Sequence, residues 1–142
     1  MNIRTATFQD AAAIARLSDE LGYPCETASM EARVRKVTRQ NHHLLLVAEN
    51  DLGEICGWLH AFGVDSIESG FRVEISGLVV ARAAQRSGVG SRLVETVEKW
   101  GREIGAEFVS VRSNLSREAS HPFYLKLGYE LKKTQQVYRR RL

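Results

Sequence analysis

A glycine-rich turn between a strand and a long amphipathic helix constrains the fold of this chain more than any other feature. The turn, Arg86–Gly90, follows an apolar β-like run, Arg72–Val80, whose alternation breaks at Ser76–Gly77 as it does at a β-bulge. Apolar residues then recur at helical spacing over Val89–Ile104, and Gly105 stands where the pattern ends. The sequence therefore predicts a bulged strand that runs directly into a helix.

The segments on either side of this unit predict a mixed arrangement of helices and strands. Before it we expect a strand, two helices and a hairpin, at Asn2–Thr5, Thr7–Leu21, Met30–Val37, His43–Glu49 and Ile55–Val64. After it we expect a strand, a short helix ending at Gly128, and a last strand, at Glu107–Arg112, Ser120–Leu127 and Lys132–Arg140. This order predicts an α+β (mixed α/β) fold with an antiparallel middle in a single domain, residues 1–142.

Composition excludes several classes of protein. The apolar fraction is 44% and the charged fraction 26%, close to the globular average. Uncharged apolar runs such as Leu44–Ala48 are far shorter than a membrane span, and no signal peptide is visible, so we expect a cytoplasmic protein without a membrane partner. Cys25 and Cys56 have no CxxC spacing, and the histidines have no metal-ligand spacing, so neither a disulfide framework nor a metal site is expected.

The charge balance does not by itself decide which kind of partner the chain binds. The chain has 20 Lys+Arg and 17 Asp+Glu, a net charge of +3, and an isoelectric point near 9.1. A basic excess of this size suits nucleic acid, a polyanionic cofactor, or neither. No nucleic-acid-binding motif is present, and the basic residues are scattered rather than interleaved with aromatic ones, so we expect no nucleic-acid partner.

The glycine-rich turn lies where a chain can build an anion site. The first N–H groups of a helix lack intrahelical partners, and glycines let the backbone approach a phosphate closely. The dinucleotide fingerprint fails because Leu93 stands where its third glycine belongs, and no Gly-Lys-Ser/Thr of a P-loop exists. The remaining pattern is Gln85-x-x-Gly88-x-Gly90, and its alternative interpretation is an ordinary turn whose glycines serve packing.

This pattern, after a bulged strand and at the start of an amphipathic helix, resembles the signature of the GNAT superfamily of acyl-CoA-dependent N-acetyltransferases. A second family segment, an Asn and then a Tyr on a short helix ending in Gly-aromatic, is similar to Asn114 and Phe123–Tyr129. The stretch from Asn114 to Tyr124 is longer here than in many members. The resemblance covers nearly the whole chain and implies a single-domain GNAT fold, with a mostly antiparallel sheet, a bulged strand and about four flanking helices.

The resemblance also implies acetyl-CoA as co-substrate. In the family the loop amides hold the CoA pyrophosphate, and the bulged strand contacts the pantetheine arm and the acetyl group. Carried onto this chain, the expected CoA contacts are Leu78, Val79, Val80, Gln85, Arg86, Ser87, Gly88, Val89, Gly90, Ser91, Asn114 and Lys126. Members of the family often dimerise through strand edges, which makes a homodimer an expectation by analogy.

Acyl transfer to an amine requires a base for the ammonium proton and an acid for the departing thiolate. In related enzymes the base is often a Glu fourteen residues before the first loop glycine, which is Glu74 here, and Tyr124 matches the acid. A backbone N–H near Val79 or Val80 would meet the developing oxyanion. The alternatives are a solvated Glu74 and a core aromatic role for Tyr124 beside Phe123.

In GNAT folds the acceptor pocket is lined by the first two helices, their loop and the strands across from CoA, which implies Asp19–Thr27 and the strand Trp58–Phe62 here. Asp19, Glu20 and Glu26 would make this rim acidic and suited to a cationic amine, and the alternative is that they are ordinary exposed carboxylates. An aminoglycoside-like compound, a polyamine, an amino acid and a protein amine all remain open. The predicted function is N-acetyl transfer to a primary amine by direct attack in a ternary complex. The alternative is a non-catalytic module that senses acyl-CoA.

Overall fold

The computed structural model describes residues 1–113 and 120–142. The chain forms two compact units, Met1–Arg112 and Ser113–Leu142. The strands of the first unit are β1 (Asn2–Thr5), β2 (His43–Glu49), β3 (Ile55–Ser66), β4 (Gly70–Val80) and β5 (Val109–Val111). Its helices are α1 (Ala11–Glu20), α2 (Thr27–Thr38) and α3 (Val89–Glu103), with short 3₁₀ turns at Phe8–Asp10 and Arg82–Ala84.

The five strands form one sheet in the order β1-β2-β3-β4-β5. The first four pair antiparallel, and β5 pairs parallel with β4 because α3 carries the chain back across the sheet. The predicted α+β fold with an antiparallel middle is confirmed. The described helices and the mixed five-stranded sheet match the GNAT architecture that the sequence motifs implied.

Helix α3 packs on one face of the sheet through buried residues at helical spacing, including Leu93 and Val97. Two glycines allow the close approach. A Cβ added to Gly57 of β3 would lie 3.1 Å from Val89 Cγ1, and one added to Gly101 of α3 would lie 3.4 Å from Val73 Cγ2. Helix and sheet are therefore in direct contact, which fixes the start of α3 beside the end of β4.

Helices α1 and α2 cover part of the opposite face. Their apolar side chains form a buried cluster with β2, comprising Ala6, Ala11, Ile14, Val34, Leu45 and Val47. Trp58 of β3 packs against this cluster. None of the helices in residues 1–113 and 120–142 has the length and apolarity that crossing a bilayer requires.

The second unit contains α4 (Ser120–Lys126). The Gly128 φ of +93° lets the Tyr129 N–H donate to the Tyr124 carbonyl at 3.0 Å, so the helix ends as predicted. The predicted strand over Lys132–Arg140 is wrong, because the residues from 129 to 142 form neither helix nor strand. Strand formation requires a pairing partner and a buried face, and the side chains from Lys132 to Arg140 are exposed.

Candidate functional site

The second half of β4 is paired on one edge only. β3 pairs with β4 from Gly70 to Val80, whereas β5 reaches only Val73–Ile75. The register between β3 and β4 shifts so that Ser76 has no opposite residue, which is the bulge that the sequence predicts. Within the described residues, the edge of β4 from Ser76 to Val80 is therefore open on the β5 side.

Strand alternation decides which backbone groups point to this open edge. The Ala81 N–H donates to the Cys56 carbonyl of β3 at 2.8 Å, so the N–H groups of Leu78 and Val80 point the opposite way. The Gln85 side chain agrees with this, since its Nε2 donates to the Val80 carbonyl at 3.2 Å from the open side. Of the two expected oxyanion donors, the alternation therefore favours Val80 over Val79.

The loop that follows adopts a left-handed backbone at two residues. Arg86 has a φ of +66°, and Gly88, which immediately precedes α3, has a φ of +85°. A Cβ added to Gly88 would meet no atom within 4 Å, so packing within the protein does not require the glycine, whereas its φ does. The Ser87 hydroxyl donates to the Ala84 carbonyl and closes the turn.

The start of α3 has no side-chain cap in the described part of the chain. The first intrahelical bond runs from the Arg92 N–H to the Gly88 carbonyl at 3.1 Å. The preceding helical amides, at Val89, Gly90 and Ser91, have no carbonyl one turn earlier to bond. These amides and the positive end of the helix dipole are suited to an anion such as a phosphate.

Glu74 lies on β4 before the bulge, with its side chain 15% exposed. The adjacent Val73 and Ile75 side chains point to the α3 face, away from the carboxylate. Two guanidinium groups contact the carboxylate instead. Arg112 Nε lies 3.3 Å from Glu74 Oε1, and Arg72 Nη2 lies 3.9 Å from the same oxygen.

Aromatic side chains stand beside Glu74 on the same face of the sheet. Phe62 is directly opposite Glu74 on β3 and stacks on His43 with a centroid separation of 5.5 Å. His43 Nδ1 lies 3.0 Å from His60 Nε2, within hydrogen-bond distance. Burial, together with His43, lowers the pKa of His60 to about 4, and burial also lowers the pKa of His43. This histidine pair is therefore neutral at physiological pH.

Residues 10–129 match the model of the acetyltransferase (GNAT) family. The chain belongs to this family. It is 30% identical over 120 residues to the uncharacterized N-acetyltransferase YhdJ of Bacillus subtilis (strain 168), an alignment that covers 83% of this chain and 80% of the relative. The family membership predicted from the glycine loop and the Tyr-containing helix is thus confirmed.

This GNAT protein is also similar to a second N-acetyltransferase and to a solved structure. The aminoalkylphosphonate N-acetyltransferase of Salmonella typhimurium (strain LT2) is 37% identical over 57 residues, 40% of this chain and 37% of the relative. The solved structure of AAC(6')-Iy with a bisubstrate CoA analogue superposes with a TM-score of 0.86 at 21% identity, covering 99% of this chain and 98% of that one. At that identity the superposition shows the shared fold.

The carboxylates expected at the acidic rim of this GNAT protein lie at the end of α1 and just before α2. The Glu20 carboxylate accepts a hydrogen bond from the Arg82 backbone N–H at 3.1 Å, and the Glu20 carbonyl accepts one from the Arg82 guanidinium. Glu20 therefore ties the end of α1 to the segment before the glycine loop. Asp19 and Glu26 are exposed, and Glu26 is the residue that precedes α2.

The remaining predicted site residues belong to the second unit or lie outside the described residues. Tyr124 and Lys126 lie on α4, where the Tyr124 ring contacts Phe123 and Tyr129 at centroid separations of 5.0 and 6.0 Å. Asn114 lies outside the described residues. All other predicted site residues, from Glu74 to Ser91, are within the first unit, on β4, the following loop and the first turn of α3.

The sequence interpretation missed the arginines and the histidine pair around Glu74. Strand alternation carries a signal for part of this, since His60 and Phe62 are two residues apart on β3 and share a face. The contact with Arg112 has no such signal, because it depends on the parallel pairing of β5 with β4. The described residues contain no group of three or more His, Cys, Asp or Glu placed to hold a metal ion.

Proposed function

We propose that this GNAT protein is an acetyl-CoA-dependent N-acetyltransferase that transfers an acetyl group to a primary amine by direct attack in a ternary complex. One observation carries the proposal: the open edge of β4 runs into the glycine loop and the uncapped start of α3. An unpaired strand edge is suited to the amide groups of a pantetheine arm, and the helix start to a pyrophosphate. Acetyl-CoA supplies the acyl group as an activated thioester.

The family match runs from residue 10 to residue 129 and thus includes parts of both compact units, which supports treating residues 1–142 as one N-acetyltransferase domain. The proposed CoA contacts are the backbone and side-chain groups of Leu78, Val79, Val80, Gln85, Arg86, Ser87, Gly88, Val89, Gly90, Ser91, Asn114 and Lys126. Those of Asn114 and Lys126 rest on the sequence motif.

Three groups of the chain serve the chemistry in this proposal. Glu74 accepts the proton that the ammonium must lose before its nitrogen becomes a nucleophile. The Val80 N–H donates a hydrogen bond to the thioester oxygen as negative charge develops there, because its direction is away from β3. Tyr124 gives a proton to the departing sulfur, a role that rests on the family motif.

The proposal is tested by thiol release from acetyl-CoA across a panel of primary amines, with CoA binding measured in parallel by calorimetry. We expect release that depends on the amine. CoA binding without release for every amine would favour the non-catalytic sensor instead.

Glu74→Gln tests the base. The substitution keeps the size of the side chain and removes its charge, so we expect a fall of about 10²-fold or more in kcat and a pH optimum that moves upward. The shift follows because the reaction then depends on the small fraction of amine that is already neutral. Unchanged CoA affinity serves as the control for folding, and an unchanged pH profile would assign the proton transfer to another group.

A further inference from the structure

Two cations converge on the carboxylate that is proposed to receive the amine. Arg112 and Arg72 both contact Glu74 Oε1, at 3.3 and 3.9 Å. Two positive charges and one negative charge give this cluster, Arg72–Glu74–Arg112, a net charge of +1. Such a cluster repels an acceptor whose only charge is an ammonium, particularly since Glu74 and Arg72 are largely withdrawn from water.

The β2 and β3 side chains that neighbour Glu74 in the described part of the first unit do not cancel this charge. Phe62 is apolar, and the lowered pKa values of His43 and His60 keep that pair neutral at physiological pH. Of the acidic side chains expected at the rim, Glu20 accepts a hydrogen bond from the Arg82 backbone N–H, and Asp19 and Glu26 are exposed. The excess positive charge around Glu74 therefore favours a ligand that carries an anion beside its ammonium.

The two arginines differ in their exposure and in their contacts. The Arg72 side chain is 17% exposed and also donates to Ser69 Oγ at 3.3 Å, so it holds Glu74 in place. The Arg112 side chain is 67% exposed, and its Nε lies 3.3 Å from Glu74 Oε1. A guanidinium has five N–H donors in a planar fork, so an exposed Arg112 that approaches Glu74 through Nε can bind a bidentate anion through its terminal nitrogens.

We propose that the acceptor is a small amine that also carries an anionic group, a carboxylate or a phosphonate, with the anion bound by Arg112 while Glu74 receives the ammonium. The inference rests on the proposed function and specifies its acceptor class. Because Arg112 and the amine-receiving carboxylate are in direct contact, the two groups of the acceptor are separated by a short chain. Both ion pairs among the described residues involve Oε1 of Glu74, so we place the ammonium at Oε2.

The test compares four amines of similar length on the CoA-loaded protein: aminoethylphosphonate, β-alanine, ethanolamine and ethylenediamine. Calorimetry measures their affinities, and thiol release from acetyl-CoA measures kcat/KM. We expect one or both anionic amines to bind about tenfold or more tightly than ethanolamine, and ethylenediamine to bind weakest. The phosphonate and carboxylate arms identify which anion the site prefers. Equal or tighter binding of ethanolamine or ethylenediamine would overturn the inference.

Arg112→Gln removes the charge from an exposed side chain, and Arg102→Gln does the same on the far end of α3 as a matched control. Arg112→Gln should abolish the preference for anionic amines, Arg112→Lys should retain part of it, and Arg102→Gln should leave it intact. An undiminished preference in Arg112→Gln would refute the assignment.

Anion-dependent binding without thiol release for any amine would refute the proposed function and leave the inferred binding site standing.

Discussion

Helices α1 and α3 begin in opposite ways. At α1, the preceding 3₁₀ turn supplies carbonyl partners, since the Asp10 N–H donates to the Thr7 carbonyl at 3.0 Å and the Ala11 N–H donates to the Phe8 carbonyl. The Asp10 carboxylate holds this turn by accepting hydrogen bonds from the Thr7 N–H and from both terminal nitrogens of Arg4, each at 2.8 Å. At α3, the preceding residue is Gly88, which has no side chain to offer, and the described residues supply no side-chain cap. The same chemical problem, unpaired amides at a helix start, is solved by the protein at one helix and left for a ligand at the other.

This difference separates groups that stabilise the fold from groups that are available for binding. Asp10 is nearly buried and joins β1 to the start of α1, so its contacts contribute to the free energy of unfolding. Gly88 is exposed, has open space around it, and contributes no side-chain contact. Substitutions at the two helix starts should therefore change different measurements.

The largest expected effect is the loss of CoA binding in Gly88→Val. A β-branched side chain is disfavoured at a φ of +85°, and it would occupy the space in front of the first α3 amides. We expect CoA affinity, measured by calorimetry, to fall by about 100-fold or more.

Gly105→Val is the matched control. Gly105 follows the other end of α3, has a φ of +84°, and also has no atom within 4 Å of an added Cβ. Because both glycines have a left-handed φ, Gly105→Val should lower the free energy of unfolding about as much as Gly88→Val does, but its CoA affinity should be unchanged. Normal CoA binding by Gly88→Val would remove the glycine loop from the proposed CoA site.

The next effect is on stability alone. Asp10→Asn leaves the Arg4 guanidinium, 34% exposed, without one of its two carboxylate partners. We expect a loss of about 2 kcal/mol in the free energy of unfolding, less than for a fully buried pair, with CoA affinity unchanged. Asp51→Asn, which removes a carboxylate that is 94% exposed, should change stability by less than about 0.5 kcal/mol. Weaker CoA binding by Asp10→Asn would mean that the two helix starts are coupled.

The smallest expected effect is on the free energy of unfolding at acidic pH. Hydrogen bonds from Arg4 lower the pKa of Asp10 below its usual 3.8. The stabilisation is therefore complete above the unfolded pKa and is lost as the pH falls through the folded one, which places the loss below about pH 4. Denaturant titrations from pH 5 to pH 2 should show a steeper loss in the wild type than in Asp10→Asn. Parallel curves would assign the acid sensitivity to other carboxylates.

Several site features were predictable because they depend on residues close together in sequence. A glycine that follows an amphipathic run ends a helix through its own φ, which is why Gly105 and Gly128 mark the ends of α3 and α4 correctly. The bulge at Ser76 shows in the broken alternation of a single strand. The strand predicted over Lys132–Arg140 is absent because a local segment cannot supply the partner strand that pairing requires.

The sequence by itself determined the GNAT family, the order of the elements in the first unit, the glycine loop at the start of α3, and Glu74 as the candidate base. These depend on local spacing, which a chain carries without folding. Only the tertiary structure decided that Arg72 and Arg112 contact Glu74, that Glu20 is bound to Arg82, and that no strand among the described residues pairs with the β5 side of β4 beyond Ile75. Each of these depends on strand pairing or on contacts between residues distant in sequence, because ion pairs and strand edges exist only once those segments meet.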